Sequence, residues 1–72
     1  MTRHRFSVSI SAEECLSFYQ GEIKQVVVRS TTGLRISIPV QNFLPFVTYS
    51  GIQGFFEVAI NSSNKIVEFT KL

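Results

Sequence analysis

Pro45–Phe56, reading PFVTYSGIQGFF, decides how this chain folds. These residues hold a proline, two glycines three apart and the rings of Phe46, Tyr49, Phe55 and Phe56. Pro45 ends a helical turn, Thr48 to Gly51 redirects the chain, and Ile52 starts a strand. From there Ile52, Gly54, Phe56, Val58 and Ile60 fall at every second position, the period of a half-buried strand. Gly51 and Gly54 allow backbone angles or close approaches that a side chain would forbid.

Downstream of that strand, the polar turn Asn61-Ser62-Ser63-Asn64 separates it from Val67 and Phe69. A hairpin with a four-residue loop sets Val58 opposite Val67, Phe56 opposite Phe69 and Glu57 opposite Glu68. Upstream, Gln41 to Leu44 read as one helical turn. Before it, Leu34, Ile36 and Ile38 alternate with Arg35, Ser37 and Pro39. Pro39 has no N–H to give a ladder, so it belongs at a strand end or on an edge. Val26 and Val28 form the partner strand. The connection Thr31-Thr32-Gly33 suits a three-residue loop closed by a left-handed glycine, which places Val28 opposite Ile36, Val26 opposite Ile38 and Arg29 opposite Arg35.

At the N-terminal end, Phe6, Val8 and Ile10 alternate with Arg5, Ser7 and Ser9, a strand over about residues 3–10. Ser11 and Glu14 then form a capping box, and Ala12, Cys15, Leu16 and Tyr19 follow at helical spacing until Gly21 offers a stop. A helix this short is unstable alone, so its apolar stripe must lie on a sheet. The expected fold is α+β and mostly β: a strongly bent five-stranded antiparallel sheet, or a small partly open barrel, with one short helix after the first strand.

The 72 residues make a single domain, 1–72, whose core supplies no more than about 3–5 kcal/mol without a disulfide, a metal or a partner subunit. Cys15 is the only cysteine and His4 the only histidine. There is no aspartate, and the five acidic residues are scattered glutamates, so neither a disulfide nor a metal site is expected, and no cofactor. With 44% hydrophobic and 17% charged residues, association with a second copy or another protein is the expected source of extra burial. No window approaches a membrane span and the basic N-terminus leads into no apolar run, so no membrane partner and no signal peptide are expected. Cys15 on an apolar helix face reads as an inert core thiol in a reducing cytoplasm.

The outward face carries the candidate sites. Arg29 opposite Arg35 and Glu57 opposite Glu68 are like-charge pairs, each of which needs an opposite charge, and the two pairs are expected to meet each other. Alternatively Arg29 and Arg35, joined by Arg5 and Arg3, hold a phosphate or carboxylate through forked hydrogen bonds, the basis of a nucleic-acid or anion-binding module. A net charge of +2 decides nothing between these. Because Phe55 and Phe56 are adjacent, one ring points away from the core. By alternation it is Phe55, which joins Val27, Ala59 and Ile66 in a candidate interface, packs beneath the helix or the Phe43–Val47 turn, or stacks on a nucleobase. Catalysis is not expected. His4 and Cys15 share no pattern, Glu13 and Glu14 suit the helix dipole, and Gly51-Ile52-Gln53-Gly54 is followed by neither lysine nor helix.

Tyr19-Gln20-Gly21, the strand ending at Pro39, Leu44-Pro45-Phe46-Val47-Thr48, Gly51-Ile52-Gln53-Gly54-Phe55 and Asn64-Lys65 resemble the domain-of-unknown-function family numbered 2835. The resemblance covers nearly the whole chain. It implies a short, free-standing bacterial protein of the cytoplasm and brings no catalytic or binding residues with it. The combined reading is a non-enzymatic protein-interaction module that self-associates, with nucleic-acid or anion binding as the alternative.

Overall fold

The computed structural model describes residues 1–72. Alternation builds β1 (Thr2–Ile10), with Phe6 and Val8 buried and their odd-numbered neighbours largely exposed. Ser11 caps α1 (Ala12–Tyr19): its hydroxyl accepts from the Glu14 N–H at 3.1 Å and the Glu14 carboxylate accepts from the Ser11 N–H at 3.2 Å. The helix ends in a Schellman motif, Gly21 N–H to Phe18 C=O and Glu22 N–H to Ser17 C=O, with Gly21 at φ +75°. β2 (Gln25–Arg29), β3 (Arg35–Pro39), β4 (Ile52–Ile60) and β5 (Ile66–Lys71) follow.

Five antiparallel strands and one helix are as expected, but they do not form one sheet. β1, β4 and β5 make a three-stranded sheet in the order β1-β4-β5, and β2 pairs only with β3. The Thr31 N–H donates to the Arg5 C=O at 2.8 Å and ties the β2–β3 hairpin to β1, yet no ladder continues from that point. Further along, Ile10 and Val26 line one groove with Phe18 of the helix. The would-be barrel stays open along this seam.

The first hairpin has the expected register, Val28 opposite Ile36, Val26 opposite Ile38 and Arg29 opposite Arg35, with Gly33 at φ +90° and Pro39 closing an edge strand. The second does not. Asn64, at φ +62°, plays the part of Gly33, so the loop closes between Asn61 and Lys65. In each hairpin the residue before the loop also accepts a backbone N–H with its side chain, Ser30 Oγ from Leu34 and Asn61 Oδ1 from Lys65. A bulge then leaves Val67 without a partner, and the pairs become Ile60–Ile66, Ala59–Glu68, Val58–Phe69, Glu57–Thr70 and Phe56–Lys71. Glu57 therefore does not face Glu68, and Val67 turns out to solvent while Ile66 packs against the core.

Two further expectations are corrected. The helix buries Cys15 and Phe18, leaving Leu16 and Tyr19 in solvent, because the larger Phe18 ring sets the rotation of so short a helix. The segment after β3 forms two 3₁₀ turns, Val40–Asn42 and Leu44–Phe46; Pro45 sits in the first positions of the second turn, where its missing N–H costs nothing, and does not stop a turn there.

The core lies between the two sheets. Phe6 stacks on Phe56 across the β1–β4 ladder, centroids 5.9 Å apart, and the Phe43, Phe46 and Phe69 rings meet this pair largely edge-on or tilted. Each such contact adds about 0.5–1.5 kcal/mol beyond its buried area. Gly51 locks the frame. Thr48 and Gly51 exchange backbone hydrogen bonds of 2.9 Å, and a Cβ on Gly51 would stand 2.0 Å from the Ile10 carbonyl oxygen. Only glycine lets the start of β4 lie against the β1–α1 junction.

Candidate functional site

On the outer face of the three-stranded sheet, Arg3, Ala59 and Glu68 fall in one transverse row, with Arg5, Glu57 and Thr70 in the next. Arg3 reaches Glu57 and Glu68 at 3.3 Å, and the Arg5 Nε donates to Glu57 at 3.0 Å. The small side chain of Ala59 leaves room for this, and it is fully covered. The hydrogen bond from Arg5, then that from Arg3, holds the Glu57 carboxyl below the usual carboxylate range, while Glu68 raises Arg3. The glutamates thus meet Arg3 and Arg5, not Arg29 and Arg35 as expected. Arg5 is thereby placed on a different sheet from the other two candidate anion ligands.

Arg29 and Arg35 stand side by side on the outer face of β2–β3, and neither takes part in a salt bridge. The same face continues through Val27 and Ser37 to Gln25, whose Oε1 accepts from the Ser37 hydroxyl. Beyond it opens the largest cleft, about 430 Å³, where Gln41, Asn42, Asn64 and Lys65 join Gln25 and Ser37. Its wall contains carboxamides, a hydroxyl and one ammonium, and no carboxylate. Sequence reading missed it because its residues come from separate segments with no local motif.

The structure does not bring the candidate interface residues together. Phe55 is 50% exposed on the outer face of β4, beside Ser7 and linked through its C=O to the Leu72 N–H at 2.8 Å. Val27 is exposed on the other sheet, and Ile66 lies against the core. A different apolar surface is present instead. Leu16 and Tyr19 are 56% and 63% exposed, and Ile23, past the end of α1, is 39% exposed. On the Glu14–Phe18 side of the helix, away from Leu16, a groove of about 210 Å³ is lined by Ile10, Phe18, Ile23 and Val26 together with Glu14 and Gln25. The sequence signal is the helical spacing of Leu16 and Tyr19, which the expected buried stripe of α1 includes.

His4 is on β1 with its Nε2 3.2 Å from the Thr2 hydroxyl. Cys15 is buried in the helix, and burial, followed by the nearby Glu14 charge, pushes its thiol up. No group of three or more metal-ligating side chains is assembled, and no helix is long and apolar enough to cross a membrane.

These features define a small, mostly β domain of two antiparallel sheets, open along one seam. The chain belongs to the family described as Protein of unknown function (DUF2835), whose model matches residues 2–72. No curated protein and no solved structure matches it.

Proposed function

We propose that this protein is a non-enzymatic interaction module that pairs with a second copy of itself through the exposed face of α1. One observation carries the reading: α1 turns Leu16 and Tyr19, two large apolar side chains, out to solvent at 56% and 63% exposure. Packing the exposed face of α1 against the same face of a second copy removes Leu16 and Tyr19 from water on both copies at once, as a two-fold contact does. Glu22 and Lys24 flank Ile23 with opposite charges, so an antiparallel approach sets unlike charges together. Phe55 makes a weaker candidate, because a single exposed ring on a flat strand face is ordinary for a soluble surface.

Catalysis finds little support in a buried, protonated Cys15 and a His4 bonded to its own strand neighbour. A reduced, inert thiol fits the cytoplasm, which is the location we propose. Light scattering across a dilution series tests the association: the wild-type mass should approach twice that of the chain at high concentration, and Leu16→Glu should hold it at the monomer value. A wild-type monomer throughout would overturn the proposal.

A further inference from the structure

The β2–β3 hairpin is a two-stranded ribbon that no third strand joins. Its inner face, Val26, Val28, Ile36 and Ile38, belongs to the core. Its outer face presents Gln25, Val27, Arg29, Arg35 and Ser37, all exposed. No glutamate lies on this face: Glu57 and Glu68 are on the other sheet, bonded to Arg3 and Arg5, and Glu13, Glu14 and Glu22 are in or just after α1. Of the seven basic residues, the two on β1 are thereby neutralised. Arg29 and Arg35 remain free at the loop end of the ribbon, and Lys24 and Lys65 lie at its base.

We infer that this face binds duplex DNA by laying the ribbon in the major groove. A two-stranded β-ribbon has the width the major groove admits, and strands of this length run about 16 Å. The side chains match the edges displayed there. A guanidinium donates two hydrogen bonds to guanine, a carboxamide pairs with adenine, a serine hydroxyl serves either, and a valine meets the thymine methyl. Two arginines directly across a ladder repel each other in the free protein, and a phosphate between them removes that repulsion. Lys24 and Lys65 at the base are placed for backbone phosphates, as cations flanking a reading surface usually are. The proposal does not depend on self-association, because Arg29, Arg35, Ser37 and Lys65 lie outside the α1 contact; only Lys24 and Gln25 border both surfaces.

The test is fluorescence anisotropy at low salt with a labelled 20-bp duplex pool of mixed sequence, the corresponding single strands, and heparin as competitor. Expected are preferential binding of the duplex, a loss of about tenfold or more in the Arg29→Ala/Arg35→Ala double variant, and a shallower salt dependence in Lys65→Ala. Lys71→Ala removes the same charge from β5 and should leave binding unchanged. These exposed substitutions should keep the fold, which circular dichroism verifies. Absence of duplex binding, equal affinity for single strands, equally effective binding of heparin, or an unaffected double arginine variant would each overturn the inference.

Discussion

The Arg3 guanidinium bonds Glu68 across the top of Ala59, with Nη1 and Nη2 at 3.3 and 3.4 Å from its two carboxylate oxygens. Three strands are linked at their outer face by this contact, and Glu57, shared between Arg3 and Arg5, extends it to the next row. Because these arginines keep the folded-state value of Glu57 below its unfolded one, the stabilisation is present at neutral pH. It is lost as the pH falls below about 4.5 and through the folded value. Thermal melts from pH 7 to pH 3 should show this loss in the wild type and a flatter profile in Glu57→Gln. High salt should shrink the difference, since the groups are near the surface. Parallel profiles would exclude the mechanism.

Gly51→Ala should destabilise the fold by at least about 2 kcal/mol, because the new Cβ meets backbone atoms at φ +97° and not a side chain that can move. Gly21→Ala is the control. With nothing within 4 Å, it carries only the left-handed penalty of about 1 kcal/mol. Urea unfolding measures both, and equal losses would show that the Ile10 contact is not what demands glycine.

Asn64 stands at φ +62° where the first hairpin uses Gly33. Asn64→Gly should therefore be neutral or slightly stabilising, and Asn64→Ala should cost about 1 kcal/mol. The same urea titrations decide it. A large loss in the glycine variant would mean that the asparagine side chain, and not its backbone angle, closes the turn.

Cys15 should react slowly with a thiol reagent at pH 8 and rapidly once the chain is unfolded, since burial both covers the sulfur and disfavours the thiolate. Equal rates in the two states would mean that the helix lifts from the core far more readily than its packing implies.

Local chemistry was legible wherever adjacent residues carried it. Ser11 and Glu14 announced the helix start, Gly33 fixed the first hairpin's register, and Thr48 to Gly51 marked the turn into β4. The second hairpin misled because Asn64 imitates glycine and because nothing in the alternation of Ile66 to Phe69 announces a bulge at Val67. The split between the sheets was hidden for a different reason. It depends on long-range strand pairing that no local pattern encodes, just as helical spacing alone allowed Leu16 and Tyr19 to claim the buried side. Family membership was readable from the Pro-Phe-Val-Thr and Gly-Ile-Gln-Gly pieces, which here turn out to be frame-setting residues. The surfaces were least legible. Arg29 and Arg35 could be paired from the hairpin alone, but that Arg3 and Arg5 would consume both glutamates follows only from β1 lying beside β4.

The most direct test of the account is residue-resolved. Backbone amide NMR spectra recorded over a hundredfold dilution report which residues leave an interface as the partner dissociates. Self-association through α1 predicts that shifts concentrate at Leu16, Tyr19 and their helix neighbours, with Phe55 and Leu72 unmoved. Shifts centred on Phe55 and the outer face of β4, or spectra that do not change with concentration, would contradict it.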